Sequence, residues 1–200
     1  MRFTIDAGSL KKALAASIKT SAKNTNYLNK IELRISKGNL YIISTNMYML
    51  GIYRLDAELK TKKDSAHALS ISNVEVLKAW LDGKMKVTFS VSKQDGKTVL
   101  TVKEKGTNSY CELSDIKLDF PDVSKFLECA DGQPFENELV PAEIRALQGS
   151  VIKKALSVFG GRGAILELLQ PEKEKGVNKP IYIKQGTALV VVMPVKMQEN

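Results

Sequence analysis

Two hundred residues suffice for one or two domains with a sizeable core, and a hydrophobic fraction of 44% fits a globular chain. No apolar run reaches the roughly 18 residues a membrane span needs, and the opening MRFTID has no signal core, so neither a membrane protein nor a secreted one is expected. The formal charge of +8 is unevenly spread: residues 1–63 hold 12 Lys/Arg against 4 Asp/Glu, whereas 64–116 and 117–200 balance at 7 against 7 and 11 against 11. A polyanionic partner is one reading of this excess, and a solvated basic surface is the other.

Taken in order, the chain repeats a unit. RFTID (2–6) reads as a strand, and from Ser9, a candidate N-cap, Leu10, Leu14 and Ile18 recur at helical spacing. Strand-like runs follow at 31–36, 40–45 and 49–59, the first two joined by the hairpin signal Lys37-Gly38-Asn39. The pattern recurs with a strand at 67–72, a helix over 74–81 capped by Asn73, and strands at 86–92, 98–104 and 109–115. A third copy has a strand at 135–140, a helix over 142–159 with Pro141 at its first position, and strands at 164–170, 180–185 and 188–195. Gly160-Gly161 reads as that helix's stop. The expected organisation is a complete domain over 1–116 made of two β-α-β-β-β units, a connector over 117–134, and a single unit over 135–200. The fold class is α+β, with antiparallel sheets and helices on one face.

Helical projection places Lys12, Lys19 and Lys23 opposite the apolar stripe of the first helix. In the third helix Ile144, Leu147, Val151, Ala155 and Val158 form the buried stripe, with Lys153 opposite it and Arg145 and Lys154 alongside. These six basic residues are the candidate contacts to a phosphate backbone, although any amphipathic helix has a charged outer face. The second helix bears Glu75 and Asp82 beside Lys78 and makes no basic stripe.

Chemistry is sparse. His67 is the only histidine and lies in an expected strand, where a structural role fits better than a general base. No nucleophile motif or P-loop occurs, and Gly160-Gly161-Arg162-Gly163 follows a helix instead of opening one. Cys111 and Cys129 lack metal-ligand spacing and set no disulfide framework, so a reducing, cytoplasmic compartment is the default. No catalytic residue, metal or cofactor is expected.

The chain resembles the bacterial DNA polymerase III beta sliding clamp. The resemblance rests on MRFTID followed by SLKKAL, on Lys37-Gly38-Asn39-Leu40-Tyr41 with Ser44-Thr45-Asn46, on Tyr110-Cys111-Glu112-Leu113 followed by Asp119-Phe120-Pro121-Asp122, and most specifically on Val191-Val192-Met193-Pro194-Val195-Lys196. It implies a ring with sheets outside and helices facing duplex DNA through phosphate contacts that carry no sequence information. It also implies a hydrophobic pocket for linear motifs of DNA polymerase and other partners. Thr45, Met47, Tyr48, Met49, Leu50, Val191, Met193 and Pro194 match the pocket segments, and Lys23 matches an inner-surface basic residue. Thr-Asn-Met-Tyr-Met-Leu stands where the family commonly has Thr-Asp-Gly-His-Arg-Leu, and three units stand where the family has six. The resemblance thus implies a homo-oligomer, with a clamp loader as a further partner. Two functions are open: a processivity factor that embraces DNA, or a clamp-derived interaction module that binds replication or transcription proteins without encircling it.

Overall fold

The computed structural model describes residues 1–22, 28–46, 48–61, 63–113, 120–124, 126–127, 139–141, 149–159, 167–171 and 179–193. The first unit is β1 (Arg2–Asp6), α1 (Ala7–Thr20), β2 (Lys30–Ser36), β3 (Asn39–Thr45) and β4 (Met49–Leu55). After the two-residue β5 (Glu58–Leu59), the second unit is β6 (Ser65–Ser70), α2 (Ile71–Trp80), β7 (Lys86–Gln94), β8 (Lys97–Glu104) and β9 (Tyr110–Leu113). The third contributes β10 (Leu139–Pro141), α3 (Gly149–Val158), β11 (Glu167–Pro171), β12 (Ile181–Gln185) and β13 (Ala188–Val192).

Both early helices begin on the last residue of the preceding strand. Asp6 keeps an extended backbone (φ −63°, ψ 126°) and accepts the Ser9 N–H at 2.7 Å. Ser70 does the same for Asn73 at 3.2 Å. The caps are therefore Asp6 and Ser70, not the expected Ser9 and Asn73: each strand runs directly into its helix, so the cap falls three residues earlier. The first helix stops at Thr20, where Ser21 returns to extended backbone, and Lys23 lies outside the described residues. The expected strand 49–59 is two strands that belong to different sheets. Pro141 sits in β10 opposite Leu169, not in a helix. Among the described residues β10 is the edge of its sheet, where a proline is tolerated at a position whose N–H would face away from the neighbouring strand.

All pairings are antiparallel, and the sheets run β5-β1-β7-β8-β9 and β10-β11-β12-β13-β4-β3-β2-β6. The first two units exchange their first strands. β1 lies against β7 of the second unit, with Phe3 stacked on Phe89 at 4.7 Å, and β6 lies against β2 of the first. The main core gathers Leu10 and Leu14 of α1, Val74 and Leu77 of α2 and the inner residues of both sheets. The third unit extends the larger sheet through β13, which pairs with β4 from Ala188↔Tyr53 to Val192↔Met49. Its helix α3 packs beside α1, with Ala155 buried against Met49, Ile183 and Val190.

Candidate functional site: an apolar cleft and a basic helical face

The connector residues Phe120, Val123, Phe126 and Leu127 cover the face of the larger sheet that is turned away from the helices, packing on Tyr41, Ile43, Ile52, Tyr182 and Leu189. A buried carboxylate and a half-buried guanidinium fasten this cover. Glu32, 2% exposed, receives the Arg34 Nε–H at 2.5 Å. The same guanidinium donates to Ser124 Oγ at 3.2 Å, and Ser124 donates in turn to Asp122 at 2.6 Å. Burial pushes the Glu32 carboxyl up despite its bond to Arg34, whereas the Ser124 bonds and the nearby Arg34 charge hold Asp122 down.

Between the edge of this cover and the β4–β13 joint opens a cleft of about 320 Å³ lined by Leu28, Thr45, Met49, Leu50, Pro121, Val123, Phe126, Val191 and Met193. None of these nine residues is ionisable, and Thr45 is the only one with a side-chain hydroxyl, which it donates to the Met49 carbonyl at 2.8 Å. The geometry of the rim is set locally. Asn46 folds its amide oxygen over the turn and accepts the N–H groups of Tyr48 (3.1 Å) and Met49 (2.9 Å). The Met193 N–H donates to the Tyr48 carbonyl at 2.9 Å, which carries the β4–β13 ladder one step past the strand ends. Tyr48 and Met193 stand exposed at 58% and 45%, an apolar rim to an apolar cleft.

Of the sequence-predicted pocket residues, Thr45, Met49, Leu50, Val191 and Met193 converge on the cleft. Tyr48 stands at its rim, and Met47 and Pro194 lie outside the described residues. Sequence reasoning missed Leu28, Pro121, Val123 and Phe126. The signal for the last three was present in the apolar spacing of Pro121, Val123 and Phe126 within an otherwise acidic connector.

Among the described residues, several cations of the helical face are already engaged by protein groups. Lys12 and Lys153 are exposed. Lys19 reaches across to α3 and donates to the Ser157 carbonyl at 2.6 Å, a cation on the last turn of a neighbouring helix. Lys11 pairs with Asp82, and Lys78 with Glu75. Lys154 is half-buried and engaged, and Lys23 and Arg145 lie outside the described residues. Among the described residues no cluster of acidic, histidine and cysteine side chains could hold a metal, and no helix is long and apolar enough to cross a membrane.

Repeated β-α-β-β-β units, with first strands exchanged between neighbours and helices on one face of antiparallel sheets, define a clamp-type fold. It is the fold of the bacterial DNA polymerase III beta sliding clamp. The Pseudomonas aeruginosa DNA polymerase III subunit beta superposes with a TM-score of 0.74 at 15% identity, over 98% of this chain and 67% of that one. The Bacillus subtilis DNA polymerase sliding clamp gives 0.71 at 14%, over 98% and 64%. The Thermotoga maritima DNA polymerase III beta subunit gives 0.70 at 15%, over 98% and 66%. The chain thus spans about two thirds of the length of these proteins. No protein-family model and no curated protein matches the sequence.

Proposed function

We propose that this protein is a sliding-clamp-like processivity factor: a non-enzymatic homo-oligomer that embraces duplex DNA and tethers a DNA polymerase, or another protein with a clamp-binding motif, by a linear motif. A clamp loader would be a further partner, the cytoplasm its setting, and residues 1–116, 117–134 and 135–200 its domain, connector and single unit. The observation that carries this reading is the uncharged cleft at the β4–β13 joint, set in a clamp fold. Its volume suits two large apolar side chains of a bound segment, and the exposed Tyr48 and Met193 gain burial when one docks. On the opposite face Lys12 and Lys153 are available for phosphates.

Anisotropy with labelled duplex DNA and with a labelled peptide bearing adjacent Leu and Phe tests both halves. DNA affinity should fall steeply with salt, and Lys12→Glu with Lys153→Glu should weaken it at least about tenfold and reduce the salt slope by about 2. Met193→Asp should abolish peptide binding and leave DNA affinity unchanged. Salt-insensitive DNA binding would sink the embrace, and joint loss of both activities in Met193→Asp would reduce the terminal strand to a structural role.

One observation favours the second reading, an interaction module that does not encircle DNA. Lys11, Lys19 and Lys78 are all engaged by protein groups, and α2 presents Glu75, so among the described residues the helical face offers phosphates few uncommitted cations. Undiminished peptide binding with no measurable DNA affinity at low salt would select it.

A further inference from the structure

We propose that the helical side of the β4–β13 joint holds a second site, a pocket for one nucleoside monophosphate unit, free or as an unpaired nucleotide of a DNA strand. The pocket lies at the other end of the joint from the apolar cleft. The cleft gathers around Met49↔Val192, whereas this pocket gathers around Tyr53↔Ala188, four residues and about 13 Å further along the strands. Its volume is about 460 Å³, within the roughly 300–1,000 Å³ of sites that take small ligands.

Local structure assembles the walls. Ser9, Lys12, Ala13 and Ala16 fall within one face of α1, and the two alanines keep that face low. Beside them α3 ends, held where Lys19 donates to the Ser157 carbonyl, and so delivers Val158 and Phe159. Across from the helices, the two-residue turn Gly186-Thr187 joins β12 to β13, with Gly186 in the left-handed region (φ 55°). The Arg54 N–H fastens that turn by donating to the Thr187 carbonyl at 3.1 Å, which places Gln185 and Thr187 in the wall.

The lining has the parts that a nucleotide needs and an apolar peptide does not. Phe159, half-buried, supplies an aromatic ring for the face of a planar base, and Leu55 adds an aliphatic wall. The amide of Gln185 and the hydroxyls of Ser9 and Thr187 both donate and accept, which matches the mixed edge of a heterocycle. Charge separates this pocket from the cleft. Lys12 and Arg54 stand here against one carboxylate, Asp56, so the lining is net positive and favours an anion, whereas the cleft has no ionisable group. Lys12 is exposed and Ala13 is buried, so the phosphate belongs at the mouth and the base inside.

This site goes beyond the duplex embrace, which needs phosphates alone, and it is read out separately. The free probe is 2-aminopurine deoxyriboside monophosphate, whose fluorescence falls when its base stacks. A duplex with one bulged 2-aminopurine is the strand-borne probe, and the same duplex with that base paired is the control. Expected is saturable quenching of at least one probe, with the nucleoside lacking its phosphate at least about tenfold weaker than the free monophosphate. Ala16→Leu fills the pocket and should weaken binding of the responding probe at least about tenfold. Gln185→Ala should weaken it about fivefold and decides the matter if circular dichroism shows that Ala16→Leu is misfolded. Neither change should alter the affinity for the fully paired duplex, followed by anisotropy. Quenching of the free probe alone assigns the pocket to free nucleotides. Tighter binding of the bulged than of the paired duplex, lost in the variants, assigns it to unpaired DNA. Quenching retained without any affinity for paired duplex would sink the embrace and leave the pocket standing. No saturable quenching of either probe, or quenching that both variants leave unchanged, overturns the pocket whatever the duplex affinity.

Discussion

Arg34 shows how one side chain can matter to a site it does not line. It is bonded to Glu32 beneath the connector and to Ser124 on it, and the connector supplies Pro121, Val123 and Phe126 to the cleft. Removing the half-buried guanidinium strands the buried Glu32 carboxyl, so Arg34→Met should destabilise the fold by about 3 kcal/mol in urea titration. It should also weaken binding of the Leu-Phe peptide, although Arg34 does not line the cleft. The paired carboxyl has a pH signature. With its folded value raised by burial, Glu32 binds its proton more tightly folded than unfolded. Its contribution is therefore fully present below the ordinary carboxylate range and is lost as pH rises through the raised value. Comparing melting temperatures from acid to neutral pH, Glu32→Gln should remove that component of the decline. Half of this site was legible beforehand. Val191 and Met193 belong to a distinctive local string, whereas Leu28 and Phe126 reach the same cleft from distant parts of the chain, and no short-range pattern records such a meeting.

At the scale of elements, Asp6 and Ser70 occupy equivalent places, each closing a strand and opening a helix. Asp6→Ala removes the acceptor for the Ser9 N–H and should cost about 1 kcal/mol, seen as a lower urea midpoint with an unchanged slope. The Ser9 bonds hold the Asp6 carboxyl below its usual value, so its contribution is present above the ordinary carboxylate range and fades as pH falls through the lowered one. That sign is opposite to Glu32. Strand and helix identity came readily from periodicity, because alternation and the i, i+4 spacing of Leu10, Leu14 and Ile18 are local facts. The boundaries did not. The run 49–59 looks continuous, yet its last two described strand residues, Glu58 and Leu59, leave β4's sheet to pair with β1. Pro141 likewise satisfies a helix start and a sheet edge equally well, and only the pairing with Leu169 decides.

Across the whole molecule the exchanged first strands tie the first two units into one cooperative body. Neither can open without tearing a strand from the other's sheet, and the core between them draws on both. Trp80, the only tryptophan, sits at the end of α2 with the Lys84 ammonium 5.4 Å from its ring centre. Its fluorescence should therefore change together with the far-ultraviolet signal of the first two units. Phe3→Ala removes one ring of the stack that crosses the exchange and should cost about 3–5 kcal/mol, shifting both probes equally. Separate transitions for the two probes in the first two units would contradict the single body. The repeat was visible in the sequence, but the exchange was not, since a strand's pattern tells which face is buried and not which neighbour it lies beside.

The exchange also sets a schedule for synthesis. Phe3 leaves the ribosome 86 residues ahead of its stacking partner Phe89. At roughly 5–20 residues per second that is a delay of about 4–17 s. Throughout it β1, with Phe3 and Ile5 destined for the core, has no central neighbour to pair with. The nascent chain therefore passes several seconds with an apolar strand uncovered, and slowed translation between residues 6 and 86 would lengthen the interval in which that strand can find the wrong partner.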